Sequence, residues 1–366
     1  MPRRTKLRSQ QSTRRATARS SRRSEDNYDE MEAYGTNLPS STSSYTSMAS
    51  MEISGRRKYD DYKPEAYRDE EEDDDDDDQE IYVVRQNHGY FAILFSLVQT
   101  VILGVMMWQC GVAPIQLNPM LGPYPDALSE WGGKNAPLIV EDGEWWRLIT
   151  PILLHAGLFH LVGNVAVQLE MGILFEKEWG TIRWLIIYIG SGAGSSIMSV
   201  IYMPQAVSVG SSGAVMGLFG AKLAEIVLRV CERDDTVQSR VAHKVRKEQC
   251  CAVTCSVIVV LLFSFVPYVD WAAHVGGLLA GLALGFMIFS LELEYCFWQL
   301  FWLLIGFALT FAGFMASLTH MYSGEVEIIE QLRDVCGYYT TTFADYECNC
   351  MRSEYFSNMN NGNAAA

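Results

Sequence analysis

The sequence predicts an all-α, polytopic helical membrane protein, and three observations carry that prediction. Apolar residues make up 49% of the 366 residues, too many for a charged soluble enzyme of this length. They are placed unevenly, with few before Tyr90 and long runs after it. Those runs recur in succession at span length, each long enough, or nearly so, to cross about 30 Å of hydrocarbon. One apolar run is compatible with a buried helix of a soluble protein; seven in a row are not.

Residues 1–88 read as a disordered cytoplasmic tail. It begins basic (Arg3, Arg4, Lys6, Arg8, then Arg14 to Arg23), turns Ser/Thr-rich, and ends in an almost unbroken acidic run from Asp69 to Glu80. That run holds much of the net charge of −15 and repels itself, so it stays solvated. No nucleic-acid partner is suggested. The Arg- and Ser-rich start resembles a mitochondrial transit peptide in composition. An amphipathic helix needs an apolar face, however, and between Pro2 and Arg23 Leu7 is the one large apolar residue. A secretory signal is not expected, because the first hydrophobic run comes too late.

Seven spans are predicted, approximately Tyr90–Trp108, Thr150–Phe175, Ile182–Met203, Gly210–Val230, Cys251–Pro267, Trp271–Ser290 and Phe297–Thr319. Loop charge sets their orientation. Arg233, Arg240, Lys244, Arg246 and Lys247 lie between the fourth and fifth, so that loop is expected in the cytoplasm. The loops before spans four and six carry no Lys or Arg and are expected on the lumenal or outer face. The N-terminus is then cytoplasmic and residues 321–366 form a lumenal tail. Cys110, Cys336, Cys348 and Cys350 fall on the lumenal side, where disulfides or free thiols are the expected states; their spacing matches no zinc motif.

Polar and ionisable residues inside spans are costly and mark function. His160 and Asn164 stand four apart on one face of span two. Gly210-Ser211-Ser212-Gly213 opens span four, and His274 follows Trp271 in span six. All three spans enter from the predicted lumenal side, which puts these residues in one leaflet. Taken singly each has a bland reading: a loop for the glycine-serine motif, interhelical hydrogen bonding for the histidines and Asn164. Taken together they supply serine nucleophilic catalysis. His274 would take the Ser212 proton, while His160, Asn164 and the Ser212 backbone N–H would face the oxyanion. With no Asp or Glu in the spans near His274, a dyad is expected rather than a triad. No cofactor or metal is called for. Trp146 reads as an interfacial anchor and Arg147 as loop architecture; Glu170 and Glu176 sit too far toward the cytoplasm to take part.

These residues resemble the motifs of the rhomboid intramembrane proteases. That family has Gly-x-Ser-Gly at the start of one span, matched by Gly210 to Gly213. It has Ala-His-x-x-Gly-x-x-x-Gly on another, matched by Ala273, His274, Gly277 and Gly281. Its His-x-x-x-Asn pair is matched by His160 and Asn164, with the earlier histidine at His155, and its Trp-Arg pair by Trp146 and Arg147. The resemblance covers about Tyr90 to Ser290. It implies a rhomboid-like six-helix core, 89–290, plus a seventh C-terminal transmembrane helix, 291–320. It also implies cleavage of single-span membrane-protein substrates in the lipid bilayer near its outer face. One departure stands out: Met216 occupies the place where the family commonly has an aromatic ring packed on the histidine. The small residues Gly213, Gly217 and Ala221, and Ala273, Gly277, Gly281 and Gly285, form two stripes whose close approach would bring His274 to Ser212. The extra span after the core resembles the eukaryotic secretory-pathway type, which implies a Golgi, plasma or related membrane. A rhomboid-like client-binding protein without protease activity is the alternative, but such proteins typically lose the serine or histidine kept here. A transporter would pair charges at the bilayer midplane instead.

Overall fold

The computed structural model describes residues 88–230, 237–266, 269–343, 346, 348 and 350. The predicted cytoplasmic tail, His88 apart, lies outside the described residues, as does Arg233. Among the described residues the chain is all helical apart from one isolated bridge between Lys134 and Ser208. In lipid an unpaired peptide group costs several kcal/mol, so apolar stretches satisfy their backbone within a helix.

The first long helix, α1, spans Tyr90–Cys110. A connecting segment follows with two short helices, α2 (Pro125–Glu130) and α3 (Ala136–Val140), and two 3₁₀ turns (Trp145–Leu148, Thr150–Leu153). The next helix, α4, runs Leu158–Trp179 with a π turn at Gln168–Gly172. Gly180, at φ +83°, turns the chain directly into α5 (Thr181–Tyr202), a left-handed conformation that glycine adopts without a Cβ clash. Then come α6 (Ser212–Leu228), α7 (Val237–Phe263), α8 (Trp271–Phe289) and α9 (Cys296–Met321). A last short helix, α10, is Val335–Thr342.

Five of these, α1, α4, α5, α8 (with its 3₁₀ extension to Glu292) and α9, are long and apolar enough to cross a membrane by length and composition. The other two expected spans differ from the pattern for identifiable reasons. Helix α6 has 17 residues and is buried on almost every side at the centre of the bundle, its two charged residues, Lys222 and Glu225, paired with each other at 2.9 Å. Helix α7 begins fourteen residues before the expected Cys251, because its polar first half (Arg240, Lys244, Arg246, Lys247) continues the same helix beyond the apolar part. Segment Thr150–Phe175 also starts later as a true helix, at Leu158. Pro151 and Gly157 hold residues 150–157 in a 3₁₀ turn and an extended stretch.

The bundle closes around α6. It packs most extensively on α8, and next on α5. A Cβ on Gly277 would overlap the Gly213 carbonyl oxygen, one on Gly281 that of Gly217, and one on Gly285 would come within 2.8 Å of the Ala221 Cα. Glycines are therefore required along the α6–α8 seam. The two small-residue stripes expected from the sequence do face each other. A polar web ties α1, α4 and α5 together. Gln168 donates to Ser96 (2.8 Å) and Gln99 (3.2 Å), Tyr188 donates to Gln168, and Gln99 donates to the Ile152 carbonyl (3.0 Å). At the other end of α4, the buried Glu176 accepts from the Phe91 and Ala92 amides (3.2 and 2.9 Å), taking up two orphan N–H groups in the first turn of α1.

The segment after α9 folds back onto the α1–α4 connection. Met321 packs with Ala136, Ile139 and Leu148, Asn135 donates to the Leu332 carbonyl (2.7 Å), and Tyr346 bonds Asp126. Disulfides join Cys110 to Cys350 and Cys336 to Cys348, while Cys250, Cys251, Cys255 and Cys296 are free. Among the described cysteines, the four that pair are those the loop charges assign to one side.

Candidate active site

The site is built where the loop after α5 enters α6. Its conformation is fixed by backbone bonds before any side chain is considered. Gly210 donates to the Pro151 carbonyl (2.9 Å), and Ser208 exchanges two backbone bonds with Lys134 (2.8 and 3.0 Å). The fully buried Lys134 ammonium donates to the Met203 and Ala206 carbonyls (2.8 and 2.6 Å), closing the same loop from below. Burial pulls its pKa down to about 8, against the attraction of Asp270. Gly210 sits at φ +130°, where a side chain is strained, and an added Cβ would lie 2.7–2.9 Å from the His160 ring. The motif glycine is thus required twice, by backbone and by contact.

Ser212 is the first residue of α6 and half-buried, whereas its neighbour Ser211 is fully buried. His274 lies in the first turn of α8. Its Nε2 stands 2.8 Å from Ser212 Oγ, the two residues being brought together by the glycine seam. The other ring nitrogen, Nδ1, is 2.6 Å from the hydroxyl of Ser264, just past the end of α7. No carboxylate contacts the ring among the described residues. Asp270, four residues before His274, is committed elsewhere. One oxygen caps α8 through the Ala273 amide (2.9 Å), and the other accepts from the Ser199 and Ser208 hydroxyls.

His160 and Asn164 come to the same place from α4. The His160 ring packs against Gly210, its Nδ1 accepts from the Ala156 amide (3.4 Å), and the Asn164 amide donates to the His160 carbonyl (3.1 Å). With Nδ1 accepting, Nε2 carries the proton and is a donor toward the Gly210–Ser212 turn. His155 is fully buried and edge-on to His160 at 5.2 Å between ring centres; neither of its nitrogens has a protein partner among the described residues. Met216 lies one turn into α6, inside the central apolar cluster with Phe175 and Phe219. Gly213, Gly277 and Gly281 occupy the seam. Arg147 is buried and bonds the Ser129 and Gly133 carbonyls and Glu144, an architectural role, and Trp146 is exposed. Ser264, Lys134 and Asp270 join the site without having been expected from the sequence. Asp270 carried a readable signal, an Asp ahead of an apolar run; Ser264 and Lys134 carried none.

The Rhomboid domain family model matches residues 142–291, the stretch that holds all these side chains but Lys134. The Arabidopsis thaliana RHOMBOID-like protein 2 is 30% identical over 229 residues, which cover 58% of this chain and 68% of that protein. The chain belongs to the rhomboid family. RHOMBOID-like protein 6, mitochondrial, from the same plant is 37% identical over 178 residues, 48% of this chain and 54% of the relative. Rhomboid-like protease 2 of Toxoplasma gondii is 32% identical over 197 residues, 53% and 63% of the two chains. An Arabidopsis relative named Inactive RHOMBOID-like protein 8 is 32% identical over 164 residues, 44% of each chain. This rhomboid spans about half the length of several of these curated relatives, 54%, 44% and 56% for three of them. The family includes both a named protease and a named inactive member, so membership sets the fold and the bilayer environment while the chemistry rests on the site.

Proposed function

We propose that this rhomboid is an intramembrane serine endopeptidase that cleaves the transmembrane segments of single-span membrane proteins. The observation that carries the proposal is the 2.8 Å pairing of Ser212 Oγ with His274 Nε2 across the α6–α8 seam. Nucleophile and base at this distance can transfer a proton in the attacking step. Ser212 Oγ attacks the scissile carbonyl as its proton passes to His274 Nε2. The tetrahedral oxyanion faces the His160 Nε2–H, the Asn164 amide and the Ser212 backbone N–H. His274 returns the proton to the leaving amine, the C–N bond breaks, and an acyl-Ser212 remains. A water deprotonated by His274 then attacks the ester, releasing the acid and restoring Ser212. Half-burial of Ser212 gives that water a route while the rest of the seam excludes it.

Seven crossings are the topology we favour, and the tail disulfide supports the count. Cys110 ends α1, and Cys350 follows α9. Their pairing needs both helix ends on one face, so an even number of crossings separates them. Helices α4, α5, α8 and α9 supply four; α6 and α7 therefore cross together or not at all, and α6 is enclosed by the bundle. The basic first half of α7 supports a cytoplasmic position for that side and for the N-terminus, and a lumenal one for the site. A secretory-pathway membrane is the compartment we favour, from the span placed after the core.

Cleavage of a single-span reporter by wild type, Ser212→Ala and His274→Ala in the same bilayer tests the reading. Loss in both variants is the expected result. Equal cleavage by all three would remove the mechanism, and no cleavage by wild type across several reporters would favour client binding without proteolysis.

A further inference from the structure

Ser264 is the group on the far side of the His274 ring, and nothing in the two-residue reading uses it. It stands ten residues before His274, immediately after α7, and is buried. Its hydroxyl lies 2.7 Å from the Val260 carbonyl, which also accepts from the Ser264 amide (2.9 Å). The same hydroxyl faces His274 Nδ1 at 2.6 Å, where it accepts if its proton is on Val260 and donates if it is not. A base for Ser212 Oγ needs the Nε2 lone pair, so catalysis calls for the Nδ1–H tautomer, the one in which Ser264 accepts from the ring and donates to Val260. The opposite tautomer, with Ser264 donating to Nδ1, would turn an N–H toward the nucleophile. The nearest carboxylate, Asp270, has its oxygens on Ala273, Ser199 and Ser208 and is not available for this task.

We propose that Ser264 is a positioning residue for His274, holding the imidazole in the basic tautomer through Nδ1 and completing a Ser212–His274–Ser264 relay that links α6, α8 and the end of α7. The proposal rests on the protease reading above and adds a third member to the site. No proton leaves Ser264. When Nε2 takes the Ser212 proton, Nδ1–H stays on the ring and its bond to the Ser264 oxygen strengthens, because the donor is then charged. A neutral acceptor supplies less than a carboxylate would, so its loss is expected to be modest: about tenfold in kcat for Ser264→Ala, the scale of one net hydrogen bond. Substrate binding does not involve it, so KM should hold.

The test uses the full chain in lipid nanodiscs, with three readouts. Labelling of Ser212 by a fluorophosphonate measures nucleophile activation without any protein substrate. Reporter cleavage separates kcat from KM. Nitrogen-15 NMR of histidine-labelled protein, with His274 assigned by its loss in His274→Gln, reads the ring tautomer directly. The expected results are Nδ1–H in wild type, slower labelling and lower kcat at constant KM in Ser264→Ala with mixed tautomers, and recovery of most of the rate in Ser264→Thr. Wild-type labelling and tautomer retained in Ser264→Ala would overturn the proposal while leaving the dyad intact. An Nε2–H ring in wild type would overturn it even if the alanine variant fails to fold. Absence of labelling in wild type, with the tautomer still Nδ1–H, would sink the protease reading and keep the positioning role of Ser264.

Discussion

Replacing Gly277 with alanine tests whether the distance between two helix backbones sets the chemistry. The added methyl would overlap the Gly213 carbonyl oxygen and lie 2.7 Å from its carbon and 3.0 Å from its Cα. These are backbone atoms in the first turn of α6, so no side chain can swing aside. Ordinary carbon–carbon contact is about 3.5–4.0 Å, so α6 and α8 must part by about 1 Å near Gly277. Ser212 is next to Gly213, and His274 is one turn from Gly277. Their 2.8 Å pairing would open to beyond hydrogen-bond range. Misplacement on that scale costs on the order of 10²-fold in rate, and the forced separation costs about 1–3 kcal/mol of stability.

The assay is reporter cleavage and fluorophosphonate labelling, normalised to folded protein by thermal unfolding in the same detergent. Gly104→Ala and Gly313→Ala serve as comparisons, since a methyl at either meets nothing within 4 Å. Each should retain full activity and gain about 0.5–1 kcal/mol, the usual return for alanine over glycine within a helix. Wild-type kcat and unfolding temperature in Gly277→Ala would refute the seam as the device that brings base to nucleophile. A loss equal in all three variants would refute the local geometry as its cause.

Three further outcomes follow from the same structure. Non-reducing peptide mapping should link the Cys110 peptide to that of Cys350, and Cys336 to Cys348, with Cys250, Cys251, Cys255 and Cys296 alkylated without reduction. Glu176→Ala strips the acceptor from the first turn of α1 and should cost about 1–2 kcal/mol while leaving Ser212 labelling per folded molecule unchanged, because Glu176 lies at the opposite end of α4 from His160. Lys134 gives a pH dependence. Its pKa falls from 10.5 in the unfolded chain to about 8 on burial, so between those values the unfolded chain holds a proton that the folded chain has released. Stability therefore rises with pH through that window, and wild type should gain about 3 kcal/mol over Lys134→Met between about pH 7.5 and 10.5. A flat difference would mean that Lys134 is solvated.

What can be read from the sequence tracks how far a signal stays within one segment. Span length and apolarity are properties of a continuous stretch, so α1, α5, α8 and α9 were legible to within a few residues. The entry of α7 was not: hydropathy registers only the lipid-facing part of a helix, and Arg240 to Lys247 continue it where charge is cheap. Gly210, Ser212, His160 and His274 were legible as a set because polar groups and glycines stand out in apolar stretches, and the structure brings them to one place. The glycine stripes were legible as spacing, and their meeting gives that spacing its purpose, since each glycine faces a backbone atom on the other helix.

Ser264 shows where this legibility stops. Between Phe263 and Phe265 it reads as one small polar residue at the ragged end of a span, where serine is common. Its significance comes from two things no sequence displays. Its hydroxyl lies within reach of both the Val260 carbonyl and His274 Nδ1, and that histidine stands ten residues further along, on another helix. Asp and Glu are the residues that orient the base in soluble triads, and neither stands within a span near His274. In a site walled by apolar helices a carboxylate would bring a charge that must be solvated or paired, whereas a neutral hydroxyl accepts from Nδ1 at no such cost. The same physics that clears charges from the spans thus leaves the orienting task to the kind of residue least visible in a sequence.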